Sequence, residues 1–262
     1  MTTPTASTVP TRIPPLRLVA LHTRFNMLET VRIPIAVIGN LLFPSLAMVF
    51  FVVPNPAVAG EPAVATAAVG QLALFSVMSA FLFTFGTGVA EDRALPFDAY
   101  VRTLAAGAGP RLAGRVLTGL LFALTSLVPL LVLGRLLTEA RADAGTLVLG
   151  VGAVLGAGLP FLMLGLAIGY RLSSKAAIAV VQLVLFPLAF AGGLFLPPEM
   201  FPGWLAGASE WLPSRAGRDL VVETVTGVAA YPLALAVLVG WGVVFTVLAL
   251  LAYRRDEGRR FH

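Results

Sequence analysis

The residue types that most often do covalent or metal chemistry are nearly missing from this chain. There is no cysteine, the only histidines are His22 and His262, and Lys175 is the sole lysine. Disulfides, thiolate nucleophiles and a histidine-built metal centre therefore drop out together. A loop that cradles phosphates needs G-x-x-x-x-G-K-[ST], with the lysine reaching the phosphates. Here Lys175 follows Ser174 and precedes Ala176, which does not fit. Neither H-E-x-x-H nor a G-x-S-x-G elbow occurs, so hydrolysis by metal or serine has no machinery. No catalytic residue, metal site or cofactor is expected on the chain itself.

What remains is recognition by apolar and aromatic faces. In Pro96-Phe97-Asp98-Ala99-Tyr100-Val101-Arg102-Thr103-Leu104, the residues Phe97, Tyr100, Val101 and Leu104 fall at i, i+3, i+4 and i+7, one face of a helix. Pro96 suits its first turn, and the Gly107–Pro110 cluster stops it. Asp98 and Arg102 form an i, i+4 pair on its flank. Such a helix docks on a partner or rests on a bilayer.

A second stretch runs from Gly192 through Pro197, Pro198, Glu199, Phe201, Pro202 and Trp204 to Trp211 and Pro213. Its prolines break any long helix. Two tryptophans one heptad apart suit short segments at a membrane interface or dipping into it. Residues 16–30 predict a helix with Leu18, Leu21, Phe25 and Leu28 on one side and a polar strip of His22, Asn26 and Glu29 on another. Arg17 and Arg24 can snorkel toward headgroups, as in a helix lying along the interface.

The elements that must position these faces follow from composition. Of 262 residues, 58% are hydrophobic and 12% charged, with mean hydropathy +0.92. A soluble domain carries roughly twice that charge, and disorder needs the opposite composition. The chain is an integral membrane protein. Six stretches are long enough to cross a bilayer as helices: Ile33–Val53, Val64–Val89, Leu112–Leu133, Thr146–Tyr170, Ala176–Leu196 and Ala229–Tyr253. Their continuous apolar character excludes barrel strands. Fourteen of the 18 basic residues fall in the segments on one side of these spans, which predicts both termini cytoplasmic. The net charge of +5 therefore reflects topology, and nucleic-acid binding is not expected. One transmembrane domain fills 1–262: a cytoplasmic N-terminus at 1–32, retained rather than cleaved, a bundle at 33–253 and a tail at 254–262.

No Asp, Glu, Lys or His lies inside a predicted span, so a carrier driven by protons or sodium would lack its usual titrating group. Asn40, Gln71 and Gln182 are the polar side chains expected near a translocation path; the plainer alternative is that they bond neighbouring helices. Gly152-x-x-x-Gly156 and Gly165-x-x-x-Gly169 predict close helix packing. Asn55-Pro56-Ala57 occurs once and predicts a simple turn.

The order of these parts resembles the membrane subunit of ABC-2 type exporters, over roughly residues 17–255. Glu91-Asp92-Arg93, Arg102-Thr103-Leu104 and Arg111-Leu112-Ala113-Gly114-Arg115 are similar to that family's first cytoplasmic loop, and Gly193–Pro213 resembles its Pro-rich segment before the last span. Pro96-Phe97 stands where relatives more often have a glycine-containing turn, and Ala106 where proline is common. The resemblance implies an all-α bundle with an N-terminal interfacial helix and short external re-entrant helices over Pro197–Pro213. It implies a coupling helix, placed on Pro96, Phe97, Asp98, Tyr100, Val101, Arg102 and Leu104, that fits a groove on a separate ATPase. ATP and Mg would then sit on that partner. Two ATPase chains and a second permease copy or paralogue would complete an exporter of hydrophobic or amphipathic compounds in the plasma membrane. The rival reading is a small secondary carrier or channel that works without an ATPase.

Overall fold

The structure is a computed structural model that describes residues 14–32, 42–95 and 108–258. Among these, all regular structure is helical. Helix α1 spans Pro15–Val31. The short apolar helix α2, Leu42–Val52, closes in a π turn over Met48–Val52. Asn55 then caps a single turn at Pro56–Ala59 by accepting from the Ala57 N–H at 3.2 Å, so the Asn-Pro-Ala triplet is a turn whose asparagine is engaged with its own backbone.

Five helices are long and apolar enough to cross a membrane. The first, α3, runs from Pro62 to Ala94, with proline near its start, where the missing N–H costs nothing. The others are α4 (Ala108–Leu137), α5 (Ala144–Arg171), α6 (Ser174–Ala191) and α9 (Ala234–Gly258). Between α6 and α9 lie a 3-10 turn at Pro198–Met200 and the helices α7 (Gly203–Ser209) and α8 (Pro213–Thr226). The helical segments expected from the Pro-rich stretch are thus present. The first expected span is represented by α2, and residues 33–41 lie outside the described residues.

Several boundaries differ from the sequence reading. The fifth span stops at Ala191 rather than Leu196, because Gly193 takes φ +79°, a left-handed turn that glycine adopts without strain. The last span begins at Ala234 rather than Ala229, since Pro232 disfavours helix at Tyr231.

Helix α3 is the axis of the bundle: 78% of its membrane-length stretch is buried, against 22–39% for the other four. Its Phe75, Phe81 and Phe85 are fully buried, together with Met48, Leu130 and Phe161. A π segment at Leu82–Thr87 interrupts it where α5 comes closest. A side-chain carbon on Gly165 would lie 3.0 Å from the Phe81 carbonyl, and one on Gly158 would lie 2.6 Å from Val77. Gly169 likewise abuts the backbone of Phe85 and Gly86. By contrast, a side-chain carbon on Gly152 or Gly156 would meet nothing within 4 Å among the described residues. Only the second glycine pair packs against a helix; the first faces outward, which corrects the expectation that both do.

Helix α1 packs on the start of α4. Thr23 is buried and donates to the carbonyls of Val19 (2.9 Å) and Gly114 (3.3 Å), and the Cβ of His22 fills the space left open at Gly114. Phe25 and Leu28 are exposed. His22, from the strip read as polar, and its neighbour Thr23 thus make the protein contact, while Leu18 and Leu21 of the apolar strip are half-buried.

Candidate functional site

One end of the bundle is closed by a single arginine. Arg93, on the last turn of α3, directs Nε and Nη2 to Asp256 Oδ1 on α9 at 3.0 and 2.5 Å. Its Nη1 donates to the carbonyls of Gly169 (2.7 Å) and Leu172 (3.2 Å) at the end of α5. Asp256 is almost fully buried, with 4% of its side chain exposed. Helix C-termini leave carbonyls without partners and favour a cation, so the guanidinium satisfies both a carboxylate and a helix end. Ser174, at the start of α6, donates to the Ala90 carbonyl at 3.1 Å. Arg115 on α4 pairs with Asp92. The root of the 96–104 segment is thus bonded to α4, α5, α6 and α9. Pro96, Phe97, Asp98, Tyr100, Val101, Arg102 and Leu104 themselves lie outside the described residues.

The opposite end carries a buried polar cluster. With the Gln71 amide oriented so that its oxygen faces the guanidinium, it accepts from Arg218 Nη2 at 2.7 Å and Nε at 3.2 Å. Arg218 Nη1 also donates to Asp219 Oδ1 at 2.7 Å, and Arg215 Nε to Asp219 Oδ2 at 2.9 Å. Arg215 continues to the Ser209 hydroxyl at 3.4 Å. Helix α8 is thereby fixed to α3 and to α7 by charge-assisted bonds, about twice as strong as neutral ones. Nearby, the Tyr231 hydroxyl donates to the Glu210 carbonyl at 2.5 Å and the Trp241 indole N–H to the Trp211 carbonyl at 2.8 Å. The Tyr231 phenol is pushed up to about 12, first by burial and then by the charge of Asp219.

The remaining residues singled out from sequence are placed as follows. Gln71 is buried in this cluster, whereas Gln182 is exposed on α6; Asn40 lies outside the described residues. Pro198 and Pro213 are buried, with Pro213 opening α8. Pro197 and Phe201 are half-buried, and Pro202 and Glu199 exposed. Trp204 and Trp211 are 75% and 65% exposed, an arrangement suited to headgroup depth.

Sequence reasoning missed two features. Arg215 and Arg218 read only as basic residues of a loop and Asp219 was not singled out, although their i, i+3 and i+4 spacing places them together on one helix face. An aromatic cluster was also missed. Phe75 on α3 meets Phe43 of α2 at 5.7 Å and Phe195 at 4.8 Å between ring centroids. Phe43 contacts Phe186 of α6 at 5.7 Å, and Phe190 contacts Phe195 at 4.7 Å. The i, i+4 spacing of Phe186 and Phe190 was the only local signal, because the other rings come from separate helices.

Comparison with known proteins agrees with this architecture. Residues 17–226 match the ABC-2 type transporter family. The chain is 24% identical over 188 residues to YvfS of Bacillus subtilis (strain 168), named as a transport permease, covering 71% of this chain and 76% of that protein. It is 29% identical over 172 residues to the daunorubicin resistance ABC transporter permease protein DrrB1 of Streptomyces coeruleorubidus. That match covers 62% of this chain and 58% of the relative, short of two thirds of its length. With the family match running through α1, the central α3 and the α8 cluster, the chain belongs to the ABC-2 type transporter family and is a membrane transport permease.

Proposed function

We propose that this chain is the transmembrane subunit of an ATP-driven exporter in the plasma membrane, with six spans and both termini cytoplasmic. Its energy comes from a separate ATPase that holds ATP and Mg. The observation that carries this reading is the Arg93 clamp. It stands at the root of the 96–104 segment and bonds the end of α3 to α5 and α9, so a push delivered there reaches several spans at once. Phe97 and Tyr100 anchor the ATPase contact, with Pro96, Asp98, Val101, Arg102 and Leu104 around them. Two ATPase chains and a second copy or paralogue of the permease complete the complex. Transport then requires a two-state rearrangement biased by nucleotide in the partner.

The cargo is hydrophobic or amphipathic. Phe43 of α2 and Phe190 of α6, both exposed, offer it an apolar, aromatic surface, and a relative named for daunorubicin resistance supports an antibiotic-like or lipid-like compound. The Pro197–Pro213 segment forms the external re-entrant lid, held by α8. Asn40 and Gln182 are the polar side chains we assign to the path, and Gln71 closes its outer end through Arg218.

The test is co-expression with the ATPase partner. Phe97→Ala and Tyr100→Ala each weaken association by about 2 kcal/mol. Arg93→Ala keeps the ATPase bound but loses substrate-stimulated hydrolysis. Wild-type retention and stimulation in all three variants would overturn the reading. Uphill transport driven by an ion gradient, with the chain alone in vesicles, would establish the secondary-carrier alternative instead.

A further inference from the structure

Helix α3 is interrupted at the depth where several of its neighbours are also weakest. In its π segment, Leu82–Thr87, the Phe83 carbonyl takes two donors, the Gly88 N–H and the Thr87 hydroxyl at 2.6 Å. Such bulges, like prolines and paired glycines, are where helices kink. Helix α5 carries Pro160 within it, between Gly158, which abuts Val77, and Gly165, which abuts the Phe81 carbonyl. Pro160 therefore lies beside the turn that leads into the π segment. On α9, a side-chain carbon on Gly242 would lie 3.6 Å from Pro160 Cγ, and Gly240 precedes it by two positions.

Helix α6 runs opposite to α3, since Ser174 bonds the Ala90 carbonyl and Val181 sits on Gly86. Its internal Pro187 is about 9 Å further out than Val181, which is the level of Phe81. Pro160 and Pro187 each withdraw the N–H that the carbonyl four residues earlier would take. Thus α3, α5, α6 and α9 share one weak level. Helix α4 passes it unbroken: the Phe85 ring fills the space at Gly119 there, and Pro129 lies further out, past Ser126.

The polar ties divide at the same level. Outward of it, Gln71 of α3 is held by Arg218, and Ser76 donates to Ser126 of α4 at 2.8 Å. Inward, Arg93 joins α3 to α5 and α9, and Ala90 joins it to α6. The inner pair between Asp92 and Arg115 of α4 is partly exposed, so it can follow a displacement that a buried pair would resist.

We propose that this level is a hinge: the cytoplasmic ends of α3, α5, α6 and α9 swing as one block past α4, and the π segment absorbs the change in backbone angle. A bend of ~20°, the onset of a sharp kink, acting over the ~24 Å of α9 from Gly242 to Gly258, displaces that end by about 8 Å. The hinge rests on the ATPase reading only for what drives it.

The test uses pairs of spin labels on the full, cysteine-free chain in nanodiscs, with distances from double electron–electron resonance. Leu112→Cys with Arg255→Cys reports the cytoplasmic ends of α4 and α9, and Leu136→Cys with Leu235→Cys their outer ends. The inner pair should show two distances up to about 8 Å apart, and the outer pair one. Deleting Thr84 removes the bulge, and Pro160→Ala with Pro187→Ala restores the missing N–H groups. Each change should reduce the inner pair to a single distance, and the proline variant decides the matter should the deletion fail to fold. A single inner distance in the wild type, or two distances that persist in the folded variants, would overturn the hinge. Two inner distances that nucleotide on a co-purified ATPase does not redistribute would uphold the hinge and overturn the ATPase reading instead.

Discussion

Arg218 on α8 donates to Gln71 on α3 at 2.7 Å while holding Asp219 at the same distance. One buried guanidinium thus joins the Pro-rich outer segment to the axis of the bundle. Removing it strands a buried amide oxygen and half-empties a carboxylate that Arg215 still contacts. Breaking a buried pair costs roughly 3–5 kcal/mol, and the surviving Arg215 bond places Arg218→Ala at the lower end. Gln71→Leu removes a neutral acceptor and costs about 1–2 kcal/mol. Thermal unfolding in detergent reads both, and a double-mutant cycle gives a coupling near zero if the pair is not formed.

The glycines of α5 separate into two classes by what surrounds them. Gly169→Ala pushes a methyl against the Phe85 backbone and Val89, and destabilises by about 1–3 kcal/mol through overpacking. Gly152→Ala meets nothing and gains up to about 1 kcal/mol of helix propensity. Opposite shifts in melting temperature are expected; shifts of the same sign would mean that the α3–α5 approach is wrong.

Tyr231 sets an alkaline limit. Its phenol ordinarily ionises near 10, and in the folded protein near 12. Between those values the unfolded chain has released the proton and the native state has not, so stability falls as pH rises. Below 10 the group contributes no slope. Tyr231→Phe should flatten this limb of the unfolding profile between about pH 10 and 12, and a profile identical to wild type would exclude Tyr231 as its source.

Orientation can be read on the cysteine-free background. Val58→Cys, Ala140→Cys and Ala208→Cys should react with impermeant thiol reagents on intact cells, while Asp98→Cys and Ser173→Cys should stay protected. Labelling at 98 without labelling at 208 would invert the bundle.

The membrane class, the apolar helices and the short helical breaks around Pro198 and Pro213 were all legible in the sequence, because hydropathy and proline act locally. The periodicity of residues 16–30 gave a helix at the interface but did not say which of its residues meet protein. Whether Thr23 or Phe25 meets a neighbour depends on where Gly114 leaves room, and no local pattern contains that. The two glycine motifs of α5 looked alike for the same reason: a glycine is a packing site only when another backbone approaches it, as α3 approaches Gly165 and nothing approaches Gly152.

Charge was the least legible feature. Arg215 and Arg218 counted in the sequence only toward which side of the membrane a loop occupies, since that rule depends on number and not on partner, and neither Arg93 nor Asp256 was given a partner. The tertiary structure alone decided that Arg93 meets Asp256 and the end of α5, and that Arg218 meets Gln71. Hydrophobic burial is non-directional and accumulates along a segment, so composition by itself determined that this chain crosses a membrane as helices. Hydrogen bonds and ion pairs are directional and close-range, so their partners exist only once helices distant in sequence have packed side by side.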